Sequence, residues 1–179
     1  MTQIGKNYAQ ALYSLAEEEA ASEAVLEQLK ALHQAFLQEP DYLRLLALPK
    51  LPKEERCQIL DDSFRGKVHP YVLNLMKIMV EKGHLRCFES CYQAYREQYN
   101  LEMGILPVCA VTAIPLDDEQ SRRLTQKLEK VTGKRIELEN RTDPACLGGV
   151  RLCYEGKQID GTIQGHLESI GALLKNTIL

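Results

Sequence analysis

Tryptophan is absent from the 179 residues, and only 3 Phe accompany 8 Tyr. Proteins that bind single-stranded nucleic acid without sequence preference stack bases on aromatic rings, so this scarcity removes the platform such binding needs. Positive charge in excess is lacking too. The 22 Lys and Arg stand against 25 Asp and Glu, a formal net charge of -3, which leaves nothing to neutralise a phosphate backbone or an anionic lipid surface. No nucleic acid is expected as a partner. No stretch approaches the apolar length that crosses a bilayer, and the opening residues do not combine a basic region, a secretory apolar run and a small-residue cleavage site. A soluble, intracellular chain is the expectation. The six cysteines, at 57, 87, 91, 109, 146 and 153, are scattered rather than packed into a turn-rich disulfide scaffold, so free thiols are expected. There is no internal repeat and no low-complexity segment.

What is present is helical periodicity followed by strand alternation. Ile4, Tyr8, Leu12 and Leu15 recur at helical spacing, and the acidic run Glu17 to Glu19 reads as a solvated end. Ser22 is a candidate N-cap for a second helix carrying Val25, Leu29, Leu32 and Phe36 and ending before Pro40. Asp41 is the candidate cap of a short helix that Pro49 terminates. Pro52 opens a fourth, with Ile59, Leu60 and Phe64 as its stripe. A fifth helix runs from about Pro70 to Lys82 and stops at Gly83. Its residues Val72, Leu73, Leu75, Met76, Ile78, Met79 and Val80 leave only Asn74, Lys77 and Glu81 as a polar stripe. A helix this apolar must be covered on more than one face, so it is either central or partly covered by something else. A sixth helix carries Leu85, Phe88, Tyr92, Tyr95 and Tyr99.

Beyond Met103 the pattern changes. Ile105 to Ala113 reads as a strand, and Pro107 within it argues for an edge position or for pairing that is complete only afterwards. Asp117 and Gln120 have capping-box spacing ahead of the stripe Leu124, Leu128 and Val131, which Gly133 stops. Arg135 to Glu139 alternates charged and apolar residues, the clearest strand signal. Gly148-Gly149 suits a strand beginning beside a tight turn. After it come Val150, Leu152 and Tyr154, a short connection through Glu155-Gly156-Lys157, and Asp160-Gly161 leading into a terminal helix. The expected class is α+β: an N-terminal six-helix bundle over 1-104, then a small mixed α/β domain over 105-179 with order βαββ plus a terminal helix.

Candidate chemistry is sparse. Gly133-Lys134 lacks the upstream glycine of a phosphate loop and is followed by Arg135, so a helix stop is the preferred reading. His84, Cys87 and Cys91 share a helical face but lack a fourth ligand, which favours packing over a metal site. Asp160 beside Gly161 reads as a helix cap before a catalytic carboxylate. Catalytic, cofactor and metal residues are therefore expected to be none, with Gly83, Gly148, Gly149, Asp160 and Gly161 as turns and caps.

Four segments, in order, carry a resemblance. They are Tyr8-Ala9-Gln10-Ala11-Leu12, Asn74-Leu75 through Glu81-Lys82-Gly83-His84-Leu85, Val111 to Leu116, and Leu147-Gly148-Gly149-Val150 with Ile159-Asp160-Gly161-Thr162-Ile163 and Leu167. In order and spacing they resemble the ATP synthase delta subunit family, related to the mitochondrial oligomycin-sensitivity-conferring protein. Relatives usually carry Ser and Arg where this chain has Thr162 and His166. The resemblance implies a non-catalytic, cofactor-free stator connector on the cytoplasmic face of the bacterial plasma membrane, joined to the membrane only through the complex. It also implies that the helical domain holds the N-terminal helix of an alpha subunit and that the second domain holds the b subunits of the peripheral stalk. The alpha-helix groove would lie between the first and fifth helices, at Tyr8, Ala11, Leu12, Leu15, Leu75, Met76, Ile78 and Met79. A charge at Met76 or Tyr8 would then release the head from a folded chain. The alternatives are a helix-binding adaptor of another assembly and an enzyme working around Asp160 and His166.

Overall fold

The computed structural model describes residues 1–48, 51–154 and 156–162. Its elements make an α+β chain with seven α-helices and a four-stranded mixed sheet among the described residues. Six helices precede the first strand: α1 (Gln3–Glu18), α2 (Ser22–Gln38), α3 (Pro40–Leu46), α4 (Lys53–Phe64), α5 (Pro70–Glu81) and α6 (Phe88–Glu102). The chain divides into two compact units, Met1–Tyr99 and Asn100–Leu179, so the division falls inside α6 and a few residues ahead of the 104/105 break in periodicity.

In the first unit, Thr2 starts α1 by accepting the Gly5 N–H at 3.2 Å. The face that α1 buries is Gly5, Ala9, Leu12, Tyr13 and Ala16, so small residues bring its backbone close to its neighbours. Ser22 is not the cap of α2. Ala21 holds that position, and Ser22 is the first helical residue, buried beneath Tyr95, whose hydroxyl donates to the Ser22 carbonyl at 3.1 Å. Packing against α6, rather than capping, sets this helix start. Asp41 likewise lies inside α3 and pairs with Arg44 at 2.7 Å, because Pro40 takes the first helical position, where its missing N–H loses no bond.

The fifth helix buries Val72, Leu73, Leu75, Met76, Met79 and Val80. It is packed by α1, α2 and α4, so the chain's own helices satisfy most of the apolar surface that the sequence left open. Lys77 of its polar stripe reaches Asp61 of α4 at 2.7 Å. Gly83, at φ +71°, stops the helix in a left-handed conformation that favours glycine. Leu85–Cys87 is then a separate 3-10 turn rather than the first turn of α6.

The second unit runs β1 (Ile105–Thr112), α7 (Asp118–Thr132), β2 (Arg135–Thr142), a 3-10 turn (Pro144–Cys146), β3 (Gly149–Tyr154) and β4 (Lys157–Thr162). The strand order is β2-β1-β3-β4, with β1 parallel to β2 and antiparallel to β3, and β3 antiparallel to β4. The parallel pair is connected through α7, which the Asp117/Gln120 capping box starts and Gly133 at φ +66° ends. Pro107 precedes the β1–β3 ladder, which begins at Cys109, so its missing donor interrupts nothing there. One sheet face packs Leu106, Val108 and Ile136 with Leu128, Leu138, Leu152 and Tyr154. The terminal-helix residues Ile163, Leu167, Ile170, Leu174 and Ile178, together with Gly165, His166, Pro49 and Glu155, lie outside the described residues.

Candidate protein-docking site

Two hydrogen bonds set α1 and α5 antiparallel within the first unit. Near one end, the Tyr8 hydroxyl lies 3.0 Å from Nδ1 of His84, just past α5. Near the other, the Tyr71 hydroxyl at the start of α5 donates to Glu19, just past α1, at 2.6 Å. Residues midway along the two helices therefore meet at one level. On α1 the spacing of Ile4, Tyr8, Ala11 and Leu15 makes a single stripe beside the buried one, and Tyr8 shows that this stripe borders α5. On α5, Tyr71, Leu75 and Ile78 form the matching stripe, and the Tyr71 bond shows that it borders α1.

The eight groove residues of the sequence reading divide by exposure. Leu12, Leu75, Met76 and Met79 belong to the chain's own core, with Met76 and Met79 fully buried, so no foreign helix touches those two directly. Tyr8 is half-buried, and burial raises its hydroxyl pKa, with Cys87 and Cys91 nearby adding to the effect. Ala11, Leu15 and Ile78 face outward, with Leu15 43% and Ile78 44% exposed. Ile4, which the sequence reading placed in the first helix but not in the groove, is 40% exposed in the same stripe. Leu12 and Leu75 are thus buried, Leu15 and Ile78 stay partly exposed on the two stripes, and the Tyr8–His84 and Tyr71–Glu19 bonds lie toward their opposite ends.

No group of three or more His, Cys, Asp or Glu able to hold a metal occurs among the described residues. Burial, with Cys87 adding to it, pushes the Cys91 thiol up to about 12, so it stays protonated and is a poor metal ligand near neutrality.

A family model described as "ATP synthase delta (OSCP) subunit" matches residues 4–174. The chain belongs to that family. It is 31% identical to the "ATP synthase subunit delta" of Alkaliphilus oremlandii (strain OhILAs), over 98% of each chain. To the subunit of the same name in Clostridioides difficile (strain 630) it is 28% identical, over 98% of this chain and 97% of the relative. A chain in the cryo-EM structure of the Toxoplasma gondii mitochondrial ATP synthase hexamer shares the fold at TM-score 0.72 and 19% identity, covering 97% of this chain and 98% of that one. As a delta-family member the chain is a non-catalytic subunit of F-type ATP synthase, associated with other subunits of that complex.

Family membership fits what the described part of the alternative enzymatic site does. Asp160 lies in β4, where its Oδ1 accepts both the hydroxyl and the N–H of Thr162, at 2.7 and 2.9 Å. Its Oδ2 accepts from Arg151 on β3 at 3.1 Å. The Thr162 hydroxyl and N–H, with Arg151 beside them, hold this carboxyl below its ordinary range, which makes it a weak base. It ties the end of a strand, and the terminal helix expected after it lies outside the described residues. Gly149 and Gly161 also lie in strands, with Gly149 paired to Thr162 and Gly161 to Val150. Gly148 precedes β3 and donates its N–H to the Cys146 carbonyl at 2.7 Å.

Proposed function

We propose that this delta-family subunit is the fixed link between the catalytic head and the peripheral stalk, and that the adjoining apolar stripes of α1 and α5 form a trough holding the N-terminal helix of an alpha subunit. One observation carries the reading: Leu15 and Ile78 are about equally exposed on adjoining stripes above a floor that is already packed. A helix laid there would bury apolar surface without asking the unit to rearrange, which is what an attachment resisting rotor torque needs. The second unit takes the other end of the link, the b subunits of the stalk. The described helices include none long and apolar enough to cross a membrane, so attachment to the cytoplasmic face would run through the complex.

The test is capture from detergent-extracted membranes with the tagged chain, together with titration of a synthetic peptide of the alpha N-terminus against the full chain. Recovery of alpha, beta and b subunits, and saturable binding of the peptide, support the link. Recovery of an unrelated assembly with no peptide binding supports a helix-binding adaptor instead.

A further inference from the structure

The sheet face opposite the Leu106/Val108 core carries two thiols. Cys109 on β1 and Cys153 on β3 are register partners, the first rung of that antiparallel ladder. Both are free and half-buried. Residues directly opposite on antiparallel strands hold their Cα atoms about 4.5 to 5.5 Å apart. That lies inside the range of about 4.4 to 6.8 Å over which a disulfide closes. Their side chains leave the sheet on the same side, because partners in a ladder share a face. Burial pushes the Cys109 thiol up, with Arg141 of β2 opposing and Glu139 and Cys153 adding to it.

We propose that Cys109 and Cys153 are a redox-closable dithiol, a site of reversible oxidation that locks β1 to β3 across their ladder. The oxidant is a small disulfide of the glutathione class. One thiolate attacks a glutathione sulfur, forming a mixed disulfide and releasing one reduced glutathione. The partner thiol, losing its proton to solvent, then displaces the second glutathione as the Cys109–Cys153 bond forms. Two thiols are oxidised and one glutathione disulfide is reduced to two glutathiones. The rung lies where β1 joins β3, just after Pro107, so the new bond would staple the end of the ladder that backbone pairing leaves open. Cys146 is fully buried in the 3-10 turn ahead of β3 and is not the register partner of either thiol.

The experiment equilibrates the full chain with glutathione disulfide and maps its peptides by mass spectrometry without reduction. The expected result is a Cys109–Cys153 cross-linked peptide at least tenfold more abundant than either cysteine carrying glutathione, and removed by dithiothreitol. In Cys109→Ser, Cys153 should instead retain one glutathione, and the converse should hold for Cys153→Ser. Serine is small enough to keep the fold. Separate glutathionylation of both cysteines in the unmutated chain, linkage of either to another cysteine, or persistence of both as free thiols would overturn the proposal.

Discussion

A Cβ added at Gly5 would lie 2.8 Å from both Cβ and Oγ of Ser90, so α1 and α6 meet with no room for a side chain between them. The same serine accepts the Thr2 N–H at 2.6 Å, which fixes the start of α1 on α6. Gly5→Ala should therefore destabilise the first unit, although alanine is the better helix former by about 1 kcal/mol. Overpacking of about 1 to 3 kcal/mol should exceed that gain. Urea unfolding of the full chain checks this, and because the Ser90 backbone carbon also lies 2.9 Å from that Cβ, trimming Ser90 to Gly should not recover the loss. Equal or greater stability of Gly5→Ala alone would show that α6 yields.

Gly149 is the stricter glycine. It sits at φ +82°, and a Cβ there would fall on the Gly161 carbonyl oxygen and 2.9 Å from the Thr162 Cα. Both the left-handed backbone and the close strand pairing oppose a side chain. Gly149→Ala should thus cost on the order of 3 kcal/mol or more. The loss should appear as early exchange of the β3 and β4 amides in hydrogen exchange, with the helices of the first unit still protected.

Asp160 gives the second unit an acid sensitivity whose sign is fixed. Its carboxyl pKa is depressed in the folded chain by Thr162 and Arg151. A depressed group stabilises the fold at pH values above its unfolded pKa, about 3.9, and that contribution fades as pH falls through the lower folded value. Asp160→Asn should therefore be less stable than the parent at neutral pH, and the gap should shrink below about pH 4. Paired thermal melts from pH 7 to pH 2.5 would show it. A gap that stays constant through this range would mean that the carboxylate charge is not what Thr162 and Arg151 recognise.

How much of this was legible in the sequence depends on whether the controlling interaction was local. The capping box of Asp117 and Gln120, the stop at Gly83 and the place of Pro107 all follow from neighbours within a few residues, and each forms as its sequence pattern implies. Ser22, which looks like a cap, fails to be one because Tyr95, far along the chain, covers it. Asp160 accepts from Thr162 two residues on and also pairs across to Arg151, a ladder contact no local rule contains, while the helix it reads as capping lies outside the described residues. The trough shows the same limit. Leu12, Met76 and Met79 are as apolar as Leu15 and Ile78, and only the packing of α5 among α1, α2 and α4 separates floor from flank.

That separation changes which variants test docking. Met76 is fully buried, so Met76→Glu would place an unpaired carboxylate in the core and should unfold the first unit, whatever it binds. Leu15→Asp and Ile78→Asp change side chains that are already 43% and 44% exposed, and each should leave the melting temperature within a few degrees of the parent. Each should weaken binding of the alpha N-terminal peptide at least tenfold, because an aspartate on the flank must be desolvated beneath the incoming helix. Leu37→Asp is the control, since Leu37 is 67% exposed on α2, a helix that contributes neither stripe of the trough. Isothermal titration beside thermal melts reads both quantities. Peptide affinity lost equally in all three variants, or in neither trough variant, would remove the α1/α5 trough as the docking site.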